Sequence, residues 1–312
     1  MVKIVTDSTA DLPPQIAQQL GITVVPVYVC FGEKVYRDGV DISQDEFYRK
    51  LIESPTHPTT SQPSPSDFAN VYSKLSTETD EIVSIQVTSK LSGTYNSALQ
   101  GRELAGTKCH IEVVDSLVVS MGLGLVAMAA ARLAKAGASL PEVMDEVRQV
   151  IPRIRLLGVF DTLKYLLRSG RLGKAKALLG SMLNVKPLIT MRDGELFPTG
   201  RVRTRSKGIE RLFDLVKNTL NIQELAIVHS TTPDEAGSLK ERIGSIFDKK
   251  RIYIARLGPA LGVHGGPGTL ILALREKVSS IMEEATKGEA SKKIFSLPSL
   301  HIPTLSFSHF SP

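Results

Sequence analysis

Short β-branched runs alternate with amphipathic stretches from the second residue onward, and that alternation leaves few architectures open. Val2–Thr6 reads as a buried strand, Pro14–Leu20 as a helix with prolines at its start, and Ile22–Val29 as a second extended run. Asp45–Glu53 is predicted helical, with Ser43 as its cap. Pro55, Pro58, Pro63 and Pro65 then make 54–66 a turn-rich linker that cannot serve as a central strand. The pattern resumes as strand Glu81–Val87, helix Tyr95–Leu104, strand Ile111–Val114 and helices Val119–Lys135 and Pro141–Ile154. Beyond it the spacing predicts short helices over Thr162–Leu167 and Lys174–Leu183, and extended runs Val185–Thr190 and Glu195–Val202 about the turn Asp193-Gly194. Helix Lys207–Leu220, strand Leu225–His229, helix Pro233–Phe247 and strands Ile252–Arg256 and Leu270–Leu274 complete the order. The expectation is α/β: two α/β domains, 1–154 and 155–286, the first built on a mostly parallel sheet. Residues 287–312, rich in Ser, Pro and His, read as an irregular extension outside the core.

Composition narrows the function. At 42% hydrophobic and 22% charged residues the chain is ordinary globular material. Its two cysteines, Cys30 and Cys109, support neither a disulfide framework nor a cysteine zinc site. The most apolar stretch, Leu117–Ala131, is broken by Gly122 and Gly124 and is shorter than the roughly 20 residues a bilayer requires. It is expected to be a buried helix, and with no secretory leader visible the protein is expected to be cytoplasmic, without an integral membrane span. The net charge of +6 invites a nucleic-acid reading, but the chain has no Trp and only 5% aromatic residues to form stacking platforms. No nucleic-acid partner is expected.

Four polar clusters interrupt the apolar scaffold, three of them at strand ends, where α/β sheets bind ligands. Thr6-Asp7-Ser8-Thr9 follows the first strand, and Asp7 is suited to capping the turn after it. Thr59-Thr60-Ser61-Gln62 lies in the proline-rich linker. Thr88-Ser89-Lys90-Leu91-Ser92-Gly93-Thr94 runs from a strand into a helix, so hydroxyls and backbone N–H groups meet the positive end of a helix dipole. Those groups suit a carboxylate or a phosphate, or Ser92 and Thr94 simply cap the helix. The spacing is neither a P-loop nor a nucleophile elbow. The fourth cluster, residues 258–268, is a glycine-rich loop with His264 at its centre, placed to reach an anion. Two basic stretches remain, Arg168 to Lys176 and Arg201 to Lys207; in the second, alternation places Arg201, Arg203 and Arg205 on one face of an extended strand. They read as solvated faces or as surfaces for phosphate or an acidic partner.

Taken in order, Thr6-Asp-Ser-Thr-Ala-Asp-Leu-Pro13, Thr59-Thr-Ser-Gln-Pro-Ser64, Ser89-Lys-Leu-Ser-Gly-Thr-Tyr95, the run from Asp161 to Gly173, Arg203-Thr-Arg205 and Gly262-Val-His-Gly-Gly-Pro-Gly268 resemble the DegV family. The chain is similar to the fatty-acid-binding subunits of bacterial fatty acid kinase, over residues 3 to about 280. The resemblance implies two α/β domains with a long-chain fatty acid such as palmitate buried at or between them, and no cofactor or metal. It implies that Thr60 and Ser92 hold the carboxylate, with Gly93 and His264 beside them and Asp7, Ser8, Ser61 and Thr94 as a surrounding polar shell. Arg203 matches an arginine implicated in phosphoryl transfer, and Arg171, Arg203 and Arg205 are expected to dock a separate kinase subunit. By the same resemblance His264 and Arg203 are expected to assist that transfer, and the chain itself is expected to carry the lipid and not to be an enzyme. The sequence departs from the family at Gly265, where Thr is common, and in the tail after 280. The alternatives from the residues alone are a serine hydrolase with Ser92 as nucleophile, His264 as base and Asp7 to orient it, or a small-molecule phosphotransferase component that uses His264.

Overall fold

Thirteen strands and ten α-helices, set out by a computed structural model that describes residues 1–181 and 185–277, build three sheets. The first half runs β1 (Lys3–Asp7), α1 (Pro14–Leu20), β2 (Ile22–Val25), β3 (Tyr28–Phe31), β4 (Lys34–Arg37), α2 (Gln44–Glu53), β5 (Thr59–Ser61), α3 (Pro65–Leu75), β6 (Glu81–Gln86), α4 (Thr94–Leu104), β7 (His110–Asp115), α5 (Met121–Lys135) and α6 (Leu140–Val150). The second runs β8 (Ile154–Val159), α7 (Lys164–Arg168), β9 (Lys186–Arg192), β10 (Glu195–Val202), α8 (Arg205–Asn218), β11 (Ile222–His229), α9 (Pro233–Ile243), β12 (Ile252–Arg256), α10 (Pro259–Gly265) and β13 (Leu270–Glu276).

Strands β2-β1-β6-β7 form an all-parallel sheet, as the apolar runs at Val2–Thr6 and Glu81–Val87 predict. The larger sheet, β10-β9-β8-β13-β11-β12, is antiparallel except for the β11–β12 pair. A small antiparallel sheet, β4-β3-β5, stands apart from both. The run Ile22–Val29 therefore divides at Pro26 between two sheets, and the proline-rich linker contributes β5 only as an edge strand.

Helix α5 explains why its sequence is apolar all round. It packs on β1 and β6 of the parallel sheet and on β8, β11 and β13 of the larger one. Twelve of its fifteen residues are buried. Their shared core joins Ile4, Val83 and Ile85 to Leu156, Val228 and Ile271. Among the described residues no helix is long and apolar enough to cross a membrane.

Three expectations need correction. The helix predicted over Pro141–Ile154 stops at Val150; Pro152 sits in a 3-10 turn, and Ile154 opens β8, an interior strand of the larger sheet. The glycine-rich segment is not a loop throughout: with Pro259 at its first position, Pro259–Gly265 forms α10, and positive φ appears only after it, at Gly266 and Gly268. The arginines do not share a strand face, because β10 ends at Val202 and Arg205 begins α8, capped by Thr204. The predicted extension 287–312 and the end of the helix predicted over Lys174–Leu183 lie outside the described residues.

Candidate functional site

Three chain reversals meet where the sheets adjoin. Strand β5 exposes Thr59 and Ser61 and turns Thr60 inward, as period-two alternation requires. Across from it α4 starts at Gly93, and the Gln62 side chain lies so close that a Cβ on Gly93 would meet its Nε2 at 2.8 Å. Helix α10 brings His264 from the other side, with Nε2 3.2 Å from Thr60 Oγ1. The guanidinium of Arg171, after α7, has its Nε 3.5 Å from the Leu91 carbonyl, one residue from Ser92.

Thr60, Gln62, Ser92, Arg171 and His264 line one pocket, with about 100 Å³ of cavity behind an open mouth. The rest of the wall is largely apolar, with Leu91, Phe160, Leu166, Leu196, Leu257 and Ile271 prominent. Two further hydroxyls on the wall are engaged by the protein: Thr9 Oγ1 donates to Asp7 at 2.5 Å, and Thr269 Oγ1 to the Gly265 carbonyl at 2.8 Å.

Ser92 caps as well as lines. Its Oγ accepts from the Thr94 amide at 3.2 Å and lies 2.8 Å from Thr94 Oγ1, so it supports the first turn of α4 while facing the pocket. The Nδ1 of His264 is buried and, among the described residues, has no hydrogen-bond partner. Burial, then the charges of Arg171 and His57, pull it down to about 3, so at neutral pH its imidazole is uncharged. A base so weak suits a hydrogen-bonding role more than activation of a serine.

The remaining predicted residues are dispersed. Asp7 is fully buried and raised above the ordinary carboxylate range by desolvation. It accepts from the Thr9 amide at 2.9 Å and, through its other oxygen, from the Val87 amide at 2.8 Å. It thus caps the turn after β1, as expected, and ties β1 to β6; it does not orient His264. Ser8 donates to Asp38 at 2.8 Å, away from the pocket. Ser61 is exposed and Thr94 buried. Arg203 is exposed, whereas Arg205 turns inward to Glu235 at 2.7 Å and to the Gly268 carbonyl at 2.5 Å.

Sequence reasoning missed the place of Arg171, which is on the pocket, and missed His57, whose ring lies 5.7 Å from that of Tyr165 beside the α10 terminus. The Lys- and Arg-rich run around Arg171 gave no sign that one member faces a cavity. Among the described residues no His, Cys, Asp or Glu cluster could hold a metal ion.

The sequence and the fold have counterparts. A DegV domain-containing protein of Caldanaerobacter subterraneus subsp. tengcongensis is 38% identical over 279 residues, 88% of this chain and 99% of its own. The structure of a DegV family protein from Thermus thermophilus, described for its fatty acid binding, superposes with a TM-score of 0.81 at 34% identity, over 88% of this chain and 99% of the other. DegV of Bacillus subtilis, described as a fatty acid binding protein, does so with a TM-score of 0.81 at 30% identity and the same coverage. The DegV family profile itself matches residues 1–277, and the chain belongs to that family.

Proposed function

We propose that this protein binds one long-chain fatty acid, its acyl chain in the apolar pocket and its carboxylate at Thr60 and Ser92. The observation that carries this reading is the partition of the pocket wall: donors gathered where β5, α4 and α10 meet, and mostly apolar side chains elsewhere. Thr60 and Ser92 supply hydroxyl donors, and Arg171 supplies the positive charge that the neutral His264 lacks. Burial of a chain of about fourteen methylenes offers up to ~11 kcal/mol before ordering costs. The head group then has to set orientation more than affinity. Relatives of similar fold that bind fatty acids support the same reading.

The carboxylate is presented, in this proposal, to a separate kinase subunit. That partner transfers the γ-phosphoryl group of ATP to a carboxylate oxygen, which yields acyl phosphate and ADP. Neutral hydroxyl donors leave one oxygen free for this attack, and the exposed Arg203 supplies charge outside the pocket. Equilibrium binding of palmitate to delipidated protein tests the first half. The Thr60→Ala, Ser92→Ala double variant is expected to bind at least about tenfold more weakly, from loss of hydrogen bonds to a charged group. Unchanged affinity would contradict the head-group assignment. In the same assay Arg203→Ala retains palmitate, and its failure to support kinase-dependent phosphorylation is the expected second result.

A further inference from the structure

Behind the first turn of α10 runs a second cavity, a surface groove between β2 and β12, the facing edges of the parallel and the larger sheet. The two cavities share no lining residue. Thr9, Leu257 and Ala260 face the fatty-acid pocket, while Ser8, Arg256 and Gly258 face the groove. The partition between them is thus one layer of backbone, and the groove side of it holds Asp7, Asp11 and Asp38.

Two of these carboxylates grip α10. The Gly258 amide donates to Asp11 Oδ1 at 2.8 Å, and the Ala260 amide donates to Asp38 Oδ2 at 3.3 Å. Gly258 lies between them so closely that a Cβ would sit 3.1 Å from Asp11 Oδ1 and 3.4 Å from both Asp38 oxygens. Each acid is held in turn: Ser120 Oγ donates to Asp11 at 2.5 Å and Ser8 Oγ to Asp38 at 2.8 Å. Asp11 and Ser120 both have positive φ, 51° and 53°, conformations that the surrounding structure has to enforce. His264 lies four residues after Ala260, about one helical turn away.

We propose that Asp11 and Asp38 act together as a positioning pair for the head-group site, fixing the first turn of α10 so that His264 meets Thr60, and loosening it when both are ionised. The inference rests on the fatty-acid reading of the pocket. Among the described residues, the charged and titratable groups around the pair are few. Asp7 on β1 adds negative charge. Tyr48 on α2 donates to the Leu257 carbonyl at 3.0 Å and does not reach either acid. Arg256 on β12 is occupied by Asp45 at 2.6 Å. Ser120, which precedes α5, contributes its hydroxyl. Desolvation, aided by the neighbouring carboxylates, pushes Asp11 up to about 8 and Asp38 up to about 7 from an ordinary value of 3.8. Two such groups bind their protons more tightly folded than unfolded. Their contribution is therefore full below the unfolded value and is lost as pH rises toward the folded ones. The groove gives solvent protons access to them.

The test is palmitate affinity between about pH 6 and pH 9, read together with the His264 imidazole NMR shift of the ligand-free protein. In the wild type, affinity is expected to fall at least about fivefold across the range, and the His264 resonance to move over the same interval although His264 itself does not titrate there. Asp11→Asn and Asp38→Asn keep a side-chain acceptor without the charge and are expected to flatten both profiles. Comparison with them at each pH cancels any titration of the ligand. Asp38→Ala, if it folds by circular dichroism, weakens binding about tenfold throughout. Wild-type affinity and His264 shift that track the Asn variants at every pH would overturn the positioning role. A moving resonance in a protein that binds no palmitate would support the clamp and overturn the fatty-acid reading instead.

Discussion

Arg171 and His264 illustrate how one cation changes the chemistry of its neighbour. Burial first, and the charge of Arg171 after it, disfavour a proton on His264, which leaves the arginine as the pocket's positive group and the histidine as a neutral partner of Thr60. Arg171→Gln is therefore expected to raise the His264 pKa, read by NMR titration, and to weaken palmitate binding about tenfold. A histidine pKa that stays put would contradict the electrostatic account. Thr60, Ser92 and His264 were readable in the sequence because hydroxyls at strand and helix ends and a histidine among glycines are local patterns. Asp11 and Asp38 were not, because their significance depends on contacts with Gly258 and Ala260, over two hundred residues away in the chain. Arg171 was hidden differently: a cation in a basic run looks the same whether it faces solvent or a cavity mouth.

Elements were readable where one period dominates. The mostly apolar α5 and the parallel strands β1 and β6 follow from composition and alternation alone. β8 did not, since the apolar residues of Val143, Val147, Val150 and Ile154 continue a helical spacing through the real boundary, and Pro152 was the stop signal that mattered. α10 was masked by its glycines, five in the eleven residues 258–268, of which Gly262 and Gly265 lie inside the helix despite their low propensity. Packing overrode propensity there: Gly262 sits against Phe47 and Tyr48 with no room for a side chain. The same packing argument makes α5 a test of coupling between sheets. Leu125→Ala, at a fully buried position, is expected to cost about 2–5 kcal/mol in urea unfolding. Hydrogen exchange should show β6 and β13 losing protection together; β13 holding while β6 opens would mean that α5 does not couple them.

At the scale of the molecule, a parallel sheet and a mostly antiparallel one share a core through α5, and the pocket opens where their strand ends and α10 adjoin. The tip of the β9–β10 hairpin strengthens this arrangement, with the Gly194 carbonyl accepting from Thr88 Oγ1 at 3.0 Å just before the Ser92 turn. Its wall takes Leu196 and Ile271 from strands of the larger sheet and Thr9 and Val87 from just beyond the ends of β1 and β6. The most direct test of the central claim is denaturing mass spectrometry of an organic extract of the purified protein. The account predicts about one long-chain fatty acid per chain, with lower occupancy in the Thr60→Ala, Ser92→Ala variant. An extract free of fatty acid, from protein that also takes up neither palmitate nor oleate when they are supplied, would contradict it.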